Sequence, residues 1–365
     1  MDDEHFELLA DIASMYYEEG LTQQEISLRL QYSRSRISRL LSEAQEQGVV
    51  EVFIHHPLAR NRSLENQLQA LFGLKAVRVC QNRDEPYESM LRKVGALAAR
   101  LVAQHMRDHM TIGLSWGAVL AEMANAFRPT HCIGARVVQL IGTVGSVDPT
   151  TDGPGLVRRF AAKLDGRAYT LNAPWLVDNK LVRDALLEDR RLRDSLSQVR
   201  DVNLAVVGVG TILPELSSFV RAGYLTVEQA NYLSSIGIVG DICGLQFDID
   251  GNMIEIPLTG YVFGITIELL RAIPLVIGVA AGSKKGDAIL GGLRSRLINA
   301  LVTDEAAAMA IIEKISTSGG SSDEGKPNRN DHTRKSQPVA GRNRARTRQG
   351  DASDDVHNPR LRRKS

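Results

Sequence analysis

One run of this chain combines three arginines with three serines, Ser33-Arg34-Ser35-Arg36-Ile37-Ser38-Arg39. Arginine can donate two parallel hydrogen bonds to guanine, and serine can bond to several bases, so such residues at the start of a helix suit the major groove. Side chains on either side of the base-reading positions would contact phosphates, which fix register without reading sequence. The predicted DNA-binding residues are Thr22, Gln23, Ser33, Arg34, Ser35, Arg36, Ser38 and Arg39, with Arg34, Ser35 and Arg36 as base readers and Thr22, Gln23 and Arg39 on phosphates.

A second set of residues has the chemistry of a small-molecule site. The backbone amides of the loop 113–117 would lie at a helix N-terminus, which favours an anion or a hydroxyl. Asp241 is predicted to follow a strand and to accept hydrogen bonds, whereas Lys285 follows the Gly282 turn and would hold a phosphate or hydroxyl. The loop alone is also typical of a simple connection, Asp241 of a cap, and Lys285 of a solvated helix. The predicted ligand-binding residues are Gly113, Ser115, Trp116, Gly117, Gly142, Asp241 and Lys285.

Three helices must position the arginine-rich run. Helical spacing of apolar residues covers 5–18, and Thr22 with Glu25 forms a capping-box pattern for a second helix. Ser33 caps the third, and alternation over 49–54 predicts a wing strand. An ordinary three-helix bundle with exposed arginines is the alternative. The predicted buried face of the third helix is Ile37, Leu40, Leu41 and Ala44.

The remaining sequence alternates short apolar runs with helical patterns, which predicts an α/β domain with a largely parallel sheet covered on both faces. Ligands of such sheets bind beyond the carboxyl ends of the strands. A helix over 60–72, with Leu64, Leu68 and Leu71 on one face, links the two parts. Strands are predicted at 77–80, 111–114, 137–141, 168–171, 204–209, 275–280 and 299–302, with helices over 87–107, 116–127, 155–164 and 304–315.

Length, charge and cysteine usage bound the function. The chain has 365 residues and a net charge of +1 at pH 7, which predicts more than one domain and no general affinity for polyanions. Three isolated cysteines fit neither a disulfide framework nor a zinc site, so a cytoplasmic protein without metal or cofactor is expected. The N-terminus lacks a signal-peptide pattern, and no apolar run has the length of a membrane span. The predicted domains are 1–57 (winged helix-turn-helix), 58–75 (linker helix), 76–316 (effector domain) and 317–365 (disordered basic tail).

These motifs resemble SorC-type sugar-binding regulators. The segments 21–26, 33–41 and 48–50 are similar to the DNA-binding part of that family, and 112–117, 137–140, 172–174, 207–210, 239–243 and 280–285 to its ligand domain. The resemblance covers about residues 5–315. It implies a winged helix-turn-helix joined to a Rossmann-like domain akin to sugar-phosphate isomerases, with ligand contacts at Asp241 and Lys285. It further implies a dimer or tetramer that controls a sugar or polyol operon.

Two departures from the family pattern concern the ligand. Phosphate-sensing members place Thr or Ser after the first loop, where this chain has Ala118 and Val119. Some members carry a Lys at the position of Ile141, and a lysine there can form a Schiff base with an aldehyde sugar. We therefore expect a non-covalently bound ligand and favour an unphosphorylated sugar or polyol, with a sugar phosphate as the alternative.

Three functions compete at this point. The first is a ligand-gated transcriptional regulator, whose partners are a double-stranded DNA operator, a carbohydrate effector and further copies of the chain, with no membrane. The second is a sugar isomerase-like enzyme with an appended DNA-binding module. Asp241 and Lys285 could then act as acid and base, although the sequence shows no convincing set of further acids around them. The third is an architectural protein that binds DNA through alternating arginines of the tail, Arg342, Arg344, Arg346 and Arg348.

Overall fold

The computed structural model describes residues 3–50, 58–81, 85–145, 152–177, 179–255 and 261–319. Its first three helices are α1 (Asp3–Tyr17), α2 (Gln23–Leu30) and α3 (Arg34–Glu46). Their apolar faces share one core, so the predicted three-helix arrangement is confirmed. The tail beyond residue 319 lies outside the described residues. The core residues are Leu9, Ile12, Ala13, Ile26, Ile37, Leu40, Leu41 and Ala44.

Helices and strands alternate through the rest of the described chain, and every predicted strand occurs within a few residues of its expected bounds. In chain order the elements are α4 (Arg62–Phe72), β1 (Ala76–Cys80), α5 (Tyr87–His105), β2 (Thr111–Leu114), α6 (Ala118–Ala126), β3 (Arg136–Gln139), α7 (Gly153–Lys163), β4 (Arg167–Tyr169), β5 (Leu176–Val177), α8 (Lys180–Glu188), α9 (Arg190–Ser197), β6 (Leu204–Thr211), α10 (Ser218–Arg221), α11 (Val227–Ser235), β7 (Ile238–Ile242), β8 (Leu245–Asp248), β9 (Tyr261–Val262), α12 (Ile267–Ala272), β10 (Leu275–Val279), α13 (Gly286–Arg294), β11 (Ala300–Asp304) and α14 (Glu305–Gly319).

The main sheet is parallel, in the order β1-β11-β10-β6-β2-β3-β4. From β2 the chain builds outwards through β3 to β4, whereas from β6 it builds in the other direction through β10 to β11. The strand order therefore reverses between β2 and β6, which is where ligands bind in open α/β sheets. An unpredicted antiparallel pair, β7 and β8, continues from the last residues of β6.

Both faces of the sheet are buried, as the sequence predicts. Along β6, Ala205 and Val207 belong to one hydrophobic cluster, while Leu204 and Val206 belong to the other. Helices α5, α6 and α7 contribute to the second cluster, and α11, α13 and α14 to the first. Because each fully buried aliphatic side chain contributes about 1.5–3 kcal/mol, this double burial holds the strand ends in fixed positions.

Helix α4 packs on the edge of the sheet against β1. Leu68 is fully buried there, but Leu71 is 53% exposed, so the predicted apolar face is wrong at Leu71. The buried face is instead centred on Leu68 and Glu65, because the Glu65 carboxylate accepts hydrogen bonds from the Val79 amide at 3.0 Å and from Arg60 Nε at 2.7 Å. No helix in the described ranges is both long enough and apolar enough to cross a membrane.

Candidate DNA-binding helix and ligand cavity

Two capped helices and a sharp turn form the candidate DNA-binding motif. Thr22 Oγ1 accepts a hydrogen bond from the Glu25 amide at 3.3 Å, and the Glu25 carboxylate accepts from the Thr22 amide at 2.8 Å. Helix α2 ends at Leu30, and the next residue, Gln31, turns the chain with a φ of 55°. Ser33 then caps α3 by accepting from the Arg36 amide at 3.2 Å. The predicted capping box and cap are confirmed, and they fix where the arginine-rich turn begins.

Helix α3 has an apolar face and a basic one. Its predicted buried face is confirmed, and this face packs against α1 and α2. Arg34, Arg36 and Arg39 are exposed. In helix-turn-helix proteins the N-terminal residues of the second helix contact base edges, so the exposed arginines stand where such contacts are made.

Several of the predicted polar contacts already have local partners. Thr22 Oγ1 donates to the Glu25 carboxylate at 2.8 Å, and Ser35 Oγ lies 3.0 Å from Ser33 Oγ. These hydroxyls can still accept hydrogen bonds, but their donor capacity is shared. In contrast, Arg34 and Arg39 make no hydrogen bond or ion pair through their side chains with any residue that the structure describes, which leaves both guanidinium groups available to DNA.

The other DNA-binding candidates surround the same turn. Gln23 opens α2 and is partly exposed, and Ser38 is exposed on α3. The Arg36 guanidinium carbon lies 4.0 Å from the centroid of the Tyr32 ring. Of the predicted wing, Val49 and Val50 pack against the three-helix core, whereas residues 51–57 lie outside the described ranges. The wing strand therefore stays a prediction.

A cavity of about 580 Å³ opens where the strand order reverses. Its walls include residues 115–119 after β2, 208–210 in β6 and 279–281 at the end of β10. Pockets for small molecules typically measure about 300–1,000 Å³, so this volume suits a ligand of the size of a sugar. The position agrees with the expectation from the parallel sheet.

The loop after β2 forms one wall of the cavity. Ser115 is buried, and its hydroxyl accepts a hydrogen bond from the Gly208 amide at 3.1 Å, which ties the end of β2 to β6. Gly117 has a φ of 131°, a conformation that side chains disfavour, and α6 begins at the next residue without a side-chain cap from the described chain. Trp116 and Gly117 both line the cavity, so the first amides of α6 lie beside it.

Asp241 and Lys285 meet in this cavity, although Asp241 lies inside β7 rather than after a strand. Strand β7 folds back along β6 and pairs Asp241 with Gly210. A Cβ at Gly210 would stand 2.0 Å from Asp241 Oδ1, so a side chain there would displace the carboxylate. Asp241 Oδ2 accepts from the Gly244 amide at 3.0 Å, and Lys285 Nζ donates to the Val209 carbonyl at 3.0 Å. The backbone thus holds both charged groups.

Burial shifts both groups towards neutrality. Burial raises the pKa of Asp241 to about 6, opposed by the Gly244 amide and by Lys285. Burial lowers the pKa of Lys285 to about 8, opposed by Asp241 and assisted by the nearby charge of Arg221. Near pH 7 both remain mainly ionised. A buried carboxylate and a partly buried ammonium of this kind can bind the hydroxyls of a polar ligand through charge-assisted hydrogen bonds.

An aromatic wall lies beside this pair, and the sequence reasoning missed half of it. The rings of Trp116 and Trp175 are 5.3 Å apart in an edge arrangement, and Trp175 also contacts Phe219 and Tyr224. Trp175 is 1% exposed, lines the cavity, and its indole N–H has no hydrogen-bond partner in the described part of the chain. A buried indole N–H normally has a partner, so a ligand oxygen would satisfy it.

Arg221, at the end of α10, is a second cavity residue that the sequence did not reveal. Helix α10 is one turn long, and neither its spacing nor its composition marks it as part of a site. Two predicted residues are absent from the wall. Gly113 packs against Leu140, and Gly142 packs against the Pro174 carbonyl. Both positions suit glycine because a Cβ at either one would collide with these neighbours.

The departures from the family pattern do lie on the cavity wall. Ala118, Val119 and Ile141 all line it, and Ile141 is buried. The first residues of α6 therefore bring neither a hydroxyl nor a cation to the cavity, and the end of β3 brings no amine. Within the described residues no group of three or more His, Cys, Asp or Glu side chains is placed to hold a metal ion.

Comparison with known proteins shows what the whole arrangement resembles. Residues 56–313 match a sugar-binding domain family, and residues 10–47 match region 4 of sigma-70 factors. The chain is 30% identical over 308 residues to the sorbitol operon regulator of Klebsiella pneumoniae, covering 84% of this chain and 98% of that protein. It is 29% identical over 315 residues to the deoxyribonucleoside regulator of Bacillus subtilis, covering 86% and 100%. The crystal structure of the full-length sorbitol operon regulator matches with a TM-score of 0.66 at 30% identity, over 86% of this chain and 99% of the other.

Proposed function

This chain belongs to the SorC-type family of sugar-binding transcriptional regulators, and we propose that a carbohydrate bound in its cavity changes its affinity for operator DNA. One observation carries the proposal. The same chain holds a helix-turn-helix with exposed arginines and a cavity where a carboxylate, an ammonium and two indole rings converge. Aromatic faces and paired hydrogen-bonding groups are what a sugar, with its apolar C–H faces and its hydroxyls, requires.

For DNA we propose contacts through α3. Arg34 and Arg36 would contact base edges, and Arg39 would bind a phosphate. Thr22 and Gln23, at the start of α2, would contact phosphates where α2 crosses the DNA backbone. A helix-turn-helix commonly binds a two-fold operator as a dimer, so we propose that the active form is a dimer or tetramer. Light scattering of the purified chain, alone and with its operator, measures that state.

For the ligand we propose a non-covalently bound neutral sugar or polyol. Asp241 would accept from its hydroxyls, while Lys285 and the Trp175 indole N–H would donate to its oxygens. Ala118 and Val119 leave the start of α6 without the side chains that hold a phosphate. Arg221 favours a second candidate, a phosphorylated sugar whose anion would meet this guanidinium.

Gating requires that ligand and DNA affinities be coupled, and the coupling must be reciprocal. A sugar that weakens operator binding tenfold must itself bind tenfold less tightly to the DNA complex. We also propose that the chain is not a catalyst, in keeping with relatives that are named as regulators. Incubation with the bound sugar, followed by NMR, would reveal isomerised product if the enzyme alternative held.

The test combines a ligand screen with a DNA assay. Thermal unfolding is measured with a panel of sugars and polyols, each paired with its phosphate ester, because a ligand of the native state raises the melting temperature. A binding sequence is selected from a randomised duplex pool, and its affinity is then measured by fluorescence anisotropy with and without the sugar. A selective shift and a changed DNA affinity are expected. A sugar that binds without any effect on DNA affinity would contradict gating, and binding of phosphate esters alone would favour the second candidate.

A further inference from the structure

Tyr32 has no role in the function proposed so far, yet the guanidinium carbon of Arg36 lies 4.0 Å from the centroid of its ring. We infer that Tyr32 is a positioning residue that holds Arg36 ready for base reading, and so contributes to operator preference from a place outside the recognition helix. The inference rests on the proposed DNA-binding function. Arg36 lies against an aromatic ring, whereas the exposed Arg29 in α2 is paired with Glu19 at 2.9 Å.

Both partners of this contact are fixed by the backbone. The Tyr32 amide donates to the Ser27 carbonyl at 3.2 Å, and the Tyr32 carbonyl accepts from Ser27 Oγ at 2.6 Å. The Tyr32 side chain is partly buried against the three-helix core. On the other side, the Arg36 amide is bound to the Ser33 cap. The ring is therefore a rigid platform, and Arg36 folds back onto it from the first turn of α3.

The contact has a consequence for recognition because an exposed arginine samples many rotamers. Binding a base would immobilise it, and that ordering opposes association. A ring held under the guanidinium restricts the rotamers before DNA arrives, and a planar guanidinium can stack on a ring while its edge still donates hydrogen bonds. Exposed cation–π contacts are weak, so the expected effect is a change of about two- to fivefold in base preference.

The test uses the intact chain and three variants. In Y32L the apolar packing stays but the aromatic face is lost; Y32F keeps the face and removes only the hydroxyl; Y17L removes another exposed tyrosine of the same three-helix unit. Preference is measured as the ratio of affinities for the selected operator and for single-base variants of it. R36A identifies the base pair that Arg36 reads. If Y32L destabilises the fold, Y32M supplies an unbranched apolar side chain without a ring.

Y32L should reduce preference about two- to fivefold at that base pair alone, with unchanged affinity for random DNA. Y32F and Y17L should keep the wild-type preference, and adding Y32L to R36A should have no further effect at that position. An unaltered preference in Y32L, or tighter operator binding in Y32L because the ring had sequestered Arg36, would overturn the inference. A wild-type chain without any sequence preference would instead overturn the proposed function.

Discussion

Carbohydrate affinity should depend on pH through the two buried charges of the cavity. The pKa of Asp241 is raised to about 6 and that of Lys285 is lowered to about 8, in both cases chiefly by burial. At pH 7 about nine-tenths of each group is ionised. At pH 5 only about one-tenth of Asp241 is ionised, and at pH 9 only about one-tenth of Lys285 is protonated.

If both ionised groups bind the ligand, affinity should be greatest near pH 7 and fall about tenfold at pH 5 and at pH 9. In D241N the affinity should no longer fall between pH 7 and pH 5, and in K285M it should no longer fall between pH 7 and pH 9. Each should weaken binding at pH 7 by about 10- to 150-fold, because a hydrogen bond to a charged group contributes about 1.5–3 kcal/mol.

Calorimetry with a neutral sugar or polyol measures this profile, since a phosphate ester would itself titrate near pH 6. D250N is the matched control; it removes an exposed carboxylate paired with Arg294 at 3.1 Å and should leave the optimum in place. Circular dichroism at each pH verifies that the chain is folded. An affinity constant within twofold from pH 5 to pH 9 would refute the assignment of both charges to the ligand.

Three further outcomes are expected. R36A should relax operator preference at one base pair, at a cost of about 1–3 kcal/mol, and an unchanged preference in a binding-site selection would remove Arg36 from the base readers. A bound sugar should change the intrinsic fluorescence of the chain, because its two tryptophans both line the cavity. W175F should lower the affinity for that sugar about two- to tenfold, because the indole N–H donor is lost. Equal affinity of W175F and the wild type in fluorescence titrations would show that Trp175 contributes only packing. Deletion of residues 320–365 should keep sequence-specific binding and reduce only salt-sensitive binding to random DNA, so complete loss of binding in gel-shift assays would favour a tail-driven mode.

Local signals predicted the DNA-binding motif well because the physics there is local. The Thr22 box, the Ser33 cap and the apolar spacing of α3 act within one or two helical turns, and the structure has all three. The parallel strands were equally readable, since strands buried on both faces are continuous apolar runs. The error at Leu71 arose because a polar residue, Glu65, occupies the buried face of α4.

The cavity was harder to predict because its wall is assembled across the sheet. Asp241 reaches it only because β7 reverses along β6. The available signal was Gly244, the second residue of the two-residue turn that joins the antiparallel strands β7 and β8, and the sequence reasoning did not use it. Trp175 and Arg221 come from a two-residue strand edge and a one-turn helix, which are too short to show a period. Gly113 was assigned to the ligand as part of the loop 113–117. In the structure, Gly113 and Gly142 pack against neighbouring side chains and carbonyls and do not line the cavity.

Burial makes the ionised forms of both cavity groups costly, so we expect these charges to contribute to ligand binding rather than to stability. The folded pKa of Asp241 lies above its usual 3.8, so its contribution to the free energy of unfolding is lost as pH rises through about 6. The folded pKa of Lys285 lies below its usual 10.5, so its contribution is lost as pH falls through about 8. Between these values both side chains are held ionised against the cost of desolvation. We expect a ligand that hydrogen-bonds to both groups to offset part of that cost. Because β6, β7 and the residues just before α13 each supply one part of the site, such a ligand would favour one relative arrangement of these elements, and a coupling of about 1–3 kcal/mol to DNA would follow if operator binding favoured another.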